Sequence, residues 1–360
     1  MRRFEDMKLG IETLSGDTNT VVFDDLDAPS VVVVLKAEDF NSYDLWGGSN
    51  TTHPGFIVNG TAHEKVGFSK FINCVKNSRA YSLPLQDPQA NITWYTAATY
   101  AKNKGSNWCL VPDSLWAAVC LWSKKNGTLP HGNSNYGYDV TYSNEKGDVS
   151  YTYTSGGNIV NGRTYTGSGP STWSHDHTPF GIQDMCGNVW KWTGGSRVVN
   201  GEIQFIVNAD FVNVTSFPSS YAADTNAWKA ILPNGSFVAP GTDGTLKYNW
   251  TGSKFVIDTE ITTAVANGNL FSAIEAAEGV NIPNYLKDMG LFPTGDTTPY
   301  KGTWYYVNST SSANGNEYMC FRGGAWHNGS CAGAFSPCFD SPRGYSNHSI
   351  GFSTAYYGSL

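Results

Sequence analysis

The chain has 360 residues, 15% of them charged, 40% hydrophobic, with a formal net charge of −7. That length suits one large domain with insertions or two domains, and the apolar content suffices for a real core. The mild acidic excess and the lack of any long basic run exclude a phosphate-binding surface, so nucleic acid is not an expected partner.

From the N-terminus, Met1-Arg2-Arg3-Phe4-Glu5-Asp6 has two basic residues but no apolar segment after them, so no signal peptide is expected. Residues 1–18 read as a lead segment, and residues 19–360 as one domain. The longest apolar run, Ser30–Leu35 (SVVVVL), is far too short to span a bilayer and reads as a buried strand, so membrane insertion is not expected. Val21-Val22-Phe23 pairs with it across the Asp24–Pro29 turn. Lys65–Val75 is a second strand region, and Pro84–Ile92 a turn or loop.

Helical spacing of Trp94, Ala97, Ala98 and Ala101 predicts a helix before Gly105. Leu115, Trp116, Val119, Cys120 and Trp122 predict another, started by Pro112-Asp113-Ser114 and stopped by Gly127. Residues 127–172 carry no helical period. Phe180–Gly195 (FGIQDMCGNVWKWTGG) is compact, with Trp190 and Trp192 alternating as in a strand. Residues from about 200 to 318 form a long excursion in which Asn269–Gly290 is expected to hold at least one helix. The C-terminal segment returns to short strands and loops.

Seven cysteines, at 74, 109, 120, 186, 320, 331 and 338, include no Cys-x-x-Cys pair. A zinc ribbon or a disulfide framework is therefore not expected, and most of these thiols read as small buried hydrophobes. His175 and His177 flank Asp176 in SHDHTPFG, but no third ligand lies at motif spacing, so the segment reads as a solvated loop and no metal is expected.

Four stretches, Ile92–Asn103, Leu110–Cys120, FGIQDMCGNVWKWTGG and FRGGAW…IGF, have an order and spacing that resemble the formylglycine-generating-enzyme type of C-type lectin fold. The resemblance covers most of residues 60–352, with the excursion as an insertion. It implies an α+β, loop-rich domain with short strands and two main helices. Gly187, Asn188, Trp190, Trp192, Arg322, Gly323, Gly324, Trp326, Gly351 and Phe352 fall on its scaffold motifs. Their physical reading is structural: glycines for backbone that a Cβ would block, tryptophans for buried area. Ser353 stands where the family usually has Arg. The family's copper enzymes use two nearby C-terminal cysteines to bind Cu(I). Here Cys320 precedes Arg322-Gly323-Gly324, and glycines and Trp326 occupy the place of the second thiol, so that catalysis and its cofactor are not expected.

The segment from about 321 to 352 also resembles the diversified region of variable proteins from diversity-generating retroelements, the class that includes phage tropism determinants. In that class adenines of the template are misread, so AAC codons become NNC, which encode many residues but never Lys, Glu, Gln, Met or Trp. Irregular residues obeying this rule are Ala325, His327, Cys331, Ser336, Cys338, Asp340, Ser341, Gly344, Tyr345, His348 and Ser349. They interleave with fixed-looking Arg322, Gly323, Gly324, Trp326, Phe335, Arg343, Ile350, Gly351 and Phe352. Asn328 and Asn347 read as unmutated or reverted, and Tyr345 and Phe339 as aromatic anchors. The resemblance implies a non-catalytic binding protein with exchangeable side chains on a fixed backbone. Its expected partner is a protein or glycan receptor on a cell surface, its expected setting a phage tail (a virion) or a host cell surface, with homo-oligomers open. The alternatives are a sulfatase-modifying-type oxidoreductase with an atypical site and a non-variable carbohydrate-binding lectin-like domain.

Overall fold

A computed structural model describes residues 2–300, 303–313 and 315–360, with residues 2–4 as backbone only. Met1 of the lead segment and Lys301, Gly302 and Asn314 of the excursion lie outside the described residues.

The lead segment folds as helix α1 (Arg2–Ser15), which the sequence reading left unassigned. Strands β1 (Asn19–Phe23) and β2 (Pro29–Lys36) pair antiparallel as expected, and β3 (Lys65–Ser69) follows. Helix α2 (Trp94–Lys102) starts where Thr93 accepts a hydrogen bond from the Thr96 amide. After β4 (Trp108–Leu110), helix α3 (Asp113–Asn126) ends at Gly127, whose φ of +69° is the left-handed cap that glycine adopts without strain. Residues 127–172 contain turns, isolated bridges, the start of a 3-10 turn at Ser171 and one hairpin, β5 (Thr152–Ser155) with β6 (Asn158–Asn161).

The central strand is β7 (Trp190–Val199), buried along its whole length. The excursion then supplies β8 (Glu202–Phe205), β9 (Lys247–Trp250), β10 (Phe255–Asp258), β11 (Ala266–Leu270), helix α4 (Asn284–Asp288) and β12 (Trp304–Asn308). Its strands are integral to the largest sheet. The chain closes with β13 (Glu317–Gly323), β14 (Gly333–Ser341), β15 (Ile350–Phe352) and β16 (Thr354–Tyr356). Among the described residues, one sheet runs β1-β2-β3-β16-β4, bringing both ends of the domain together, and the large sheet runs β11-β12-β14-β13-β7-β8-β9-β10, with β15 parallel to β7.

Within Asn269–Gly290 the helix is confined to the five residues of α4; Phe271–Ala273 is a single 3-10 turn and Glu275–Ala276 pairs with β10. The apolar residues there reach the core from an irregular backbone: Phe271, Ile274, Leu286 and Met289 are all buried.

Indole N–H groups tie the layers together. Trp94 donates to the Thr193 carbonyl, Trp192 to the Ile92 carbonyl and Trp116 to the Ala334 carbonyl, each at 2.9 Å. Each large ring thus buries its area without orphaning its polar atom.

Candidate ligand site

The scaffold glycines are set by close approach. A Cβ on Gly187 would lie 2.2 Å from the Asn133 carbonyl oxygen, and one on Gly324 would lie 2.6 Å from the Ala332 Cβ. Asn188, at φ +60°, exchanges two hydrogen bonds with the Thr164 backbone, and its carbonyl accepts from the Trp326 amide at 3.1 Å. Gly351 packs on the Gln89 carbonyl, and Phe352 is buried with its carbonyl on the Asn73 amide.

Two arginines fix the strands beneath the irregular segment. Arg322 and Asp113 form a fully buried bidentate pair. Arg343 donates to Asp224 at 2.7 Å and to Glu317, and Arg197 donates to the same two carboxylates. Arg343 thereby anchors the chain just after β14 to the excursion. Its place in the buried network gives a structural reason for an arginine inside an otherwise irregular stretch.

On this frame lies a cavity of about 260 Å³. Its floor is built across neighbouring strands: Tyr306 of β12 faces Cys338 of β14, which faces Phe321 of β13, and Trp190 of β7 pairs with Ile350 of β15. Asp340, Ser341 and the loop carrying Tyr345, Asn347 and Ser349 form the rim, with His327 and Asn328 opposite. The Trp190 ring meets Phe321 edge-on at 5.0 Å.

Six of the eleven marked positions line this cavity: His327, Cys338, Asp340, Ser341, Tyr345 and Ser349. The other five do not. Ala325 is fully buried, and so is Ser336, whose hydroxyl donates to the Cys331 carbonyl at 2.9 Å. Cys331 is half-buried behind Tyr306. Gly344 is exposed and lines a separate cavity of about 500 Å³ with Tyr318 and Arg343. His348 stacks on Tyr153 at 4.7 Å and packs on Trp326. Phe339, expected as an anchor, is fully buried against Tyr248 of the excursion and is no anchor. Asn328 and Asn347 are structural as well as cavity-lining. Asn328 accepts from the Ala325 amide at 2.7 Å, and Asn347 accepts from the Ser349 amide and donates to the Tyr345 hydroxyl.

The motif reading missed Tyr306, Phe321 and Ile350 as site residues and gave Trp190 only a scaffold role. Trp190 lies on a motif strand and Tyr306 in the excursion, and only the sheet order places them at one floor.

The thiols are held protonated. Burial pushes Cys186 up to about 12, and burial followed by the neighbouring Asp113 carboxylate raises Cys320 further. Burial and then Asp340 raise Cys338. All seven cysteines are free, including Cys331 and Cys338. No group of three His, Cys, Asp or Glu among the described residues has metal-binding geometry.

The SHDHTPFG segment is not a solvated loop. His175 is buried, accepts from the Ile182 amide at 2.9 Å and packs on Trp122; burial lowers its pKa to about 4. The His177 ring donates to the Leu129 carbonyl. A second cavity, of about 450 Å³, lies beyond it, with His131 on its wall oriented by Glu145 at 2.9 Å and stacked on Tyr142.

Residues 57–204 match the profile of the family described as Sulfatase-modifying factor enzyme 1-like domain. No curated protein matches the chain. Among solved structures, the chain is similar to Treponema denticola variable protein 1, at 9% identity and a TM-score of 0.31, with 94% of this chain and 99% of that chain covered. The sheet-rich architecture with few helices, together with the domain matched over residues 57–204, is an α+β fold of the C-type lectin-like kind.

Proposed function

We propose that this chain is a ligand-binding protein of the diversity-generating-retroelement type, which presents exchangeable side chains on a fixed backbone. The observation that carries the reading is the convergence of six marked positions on one cavity whose strands are pinned from below by Arg322 and Arg343. A preorganised backbone spares much of the ordering cost of binding, so new side chains select new partners without refolding. Tyr345, exposed at the rim, is the aromatic anchor that this reading retains.

The reading is non-catalytic. A thiolate chemistry needs low-pKa cysteines, whereas burial raises those at 186, 320 and 338. The partner proposed is a protein or glycan receptor on a cell surface, and the setting proposed is a phage tail or a host surface, where self-association would add avidity.

Sequencing of the surrounding locus tests it. The expected result is a near-copy of the DNA for residues 321–352 beside a reverse-transcriptase gene, with mismatches confined to adenines of the copy. A locus with neither, and a C-terminal segment invariant between sibling genomes, overturns it in favour of a non-variable lectin-like domain.

A further inference from the structure

We infer that the cavity between Trp190, Tyr306 and Tyr345 takes a primary alkylammonium group, the end of a lysine side chain on a protein partner. This rests on the reading of that cavity as the ligand site.

Asp340 stands exposed at the rim, and among the described residues it has no ion-pair partner. Its Oδ1 accepts from the Ser341 hydroxyl at 2.8 Å, and the Cys338 thiol lies against it. Both are neutral groups that orient the carboxylate without cancelling its charge. No Lys or Arg lines the cavity. The arginines bonded to or lying in the same segment are committed elsewhere: Arg163 to Asp87 and the His348 carbonyl, Arg322 to Asp113, and Arg343 to Glu317 and Asp224. The histidines stay neutral near pH 7, because burial, then His348, lowers His327, and burial, then Arg163, lowers His348.

The site therefore offers one uncompensated negative charge beside aromatic rings, an environment that favours a cation through both charge and ring quadrupole. It also offers acceptors, the Asp340 carboxylate and the Tyr345 hydroxyl among them. Acceptors reward a primary ammonium with three N–H donors over a quaternary one with none. Cys338 and Phe321 form an apolar part of the floor against which an alkyl stem packs.

The probes are Nα-acetyl-lysine methylamide, its neutral Nε-acetylated form, and methyl N-acetylglucosaminide, followed by ligand-observed saturation-transfer NMR on the full chain at low salt. The variants are Asp340→Asn and Tyr345→Ala, both at exposed positions where folding is not at stake. The expected result is binding of the free amine alone, weakened at least tenfold in D340N and several-fold in Y345A, and weakened by salt in the parent. Binding of the acetylated probe or the sugar as well as the amine, with a response to Y345A, overturns the cation inference and leaves the cavity as the ligand site. Amine binding indifferent to both variants, or no binding of the amine, overturns the inference; indifference also removes the cavity from the ligand-site reading.

Discussion

Arg322 and Asp113 face each other through two hydrogen bonds of 2.8 Å with no exposure of either side chain. The remaining guanidinium protons go to the carbonyls of Met289, Gly290 and Phe335. One side chain thus joins the N-terminus of α3, the end of α4, β13 and β14. Removing either partner strands a buried charge, a loss of roughly 3–5 kcal/mol. Arg322→Leu and Asp113→Asn should each lower the unfolding free energy by that order, and so move the denaturation midpoint down. Arg322→Lys should not rescue, since an ammonium lacks the planar fork. Equilibrium urea unfolding followed by tryptophan fluorescence checks it, and an unchanged R322L midpoint would remove the pair from the account of how the site is held.

Glycines in the irregular segment should divide into two kinds. Gly324 has φ +80°, and a Cβ there meets Ala332 at 2.6 Å, whereas Gly344 has nothing within 4 Å and no positive φ. Gly324→Ala should therefore destabilise by about 1–3 kcal/mol through overpacking and left-handed strain. Gly344→Ser should be neutral within about 0.5 kcal/mol. Thermal unfolding of the pair decides, and equal effects would contradict the division between frame and display.

The same division should run through the marked positions. Ala325 is fully buried while Tyr345 is 40% exposed. Tyrosine is encodable at either position under the adenine rule, yet Ala325→Tyr must displace the packing around Trp326. We expect A325Y to be recovered largely insoluble and Tyr345→Ser to unfold at the parental temperature. A library randomised at all eleven positions, sorted for folded protein and sequenced, should keep small residues at 325 and 336 and all encodable residues at 340, 344 and 345.

What was legible in the sequence was local. Helices α2 and α3 announce themselves by apolar spacing, and α3 also by Pro112-Asp113-Ser114 and Gly127, signals that lie in or directly beside the element they define. The motif glycines are legible because their constraint is a backbone angle. The cavity is another matter. Tyr306 reaches it only because β12 runs parallel to β14, and that pairing joins residues the sequence gives no reason to associate. Phe339 reads as an aromatic anchor because it is a large ring amid irregular neighbours, but the excursion lays Tyr248 over it and buries it. The helix expected in Asn269–Gly290 is present but short, α4 alone: the other apolar residues there are spaced for an irregular path across the sheet, and composition alone does not tell the two apart.

Acid sensitivity should be traceable to His175. Its ring is buried against Trp122, and burial first, opposed by Asp176, lowers its pKa from 6.5 to about 4. The unfolded chain takes up the proton as pH falls through 6.5, and the folded chain only near 4. Stability is therefore fully present above 6.5 and lost as pH falls across that window, by about 1.4 kcal/mol per pH unit at most and on the order of 3 kcal/mol in all. Asp184 works against it. Burial raises its pKa to about 6, so the folded state binds that proton first and gains stability as pH falls from 6 towards 4. His53, His327 and His348, whose pKa values burial lowers, act in the same direction as His175, so the contribution of His175 shows only by difference. His175→Gln should lose less stability than the parent between pH 7 and 4.5, even if it starts lower for want of the Ile182 contact. Urea midpoints at half-unit steps measure the difference, and parallel profiles would mean that His175 does not titrate between the two states.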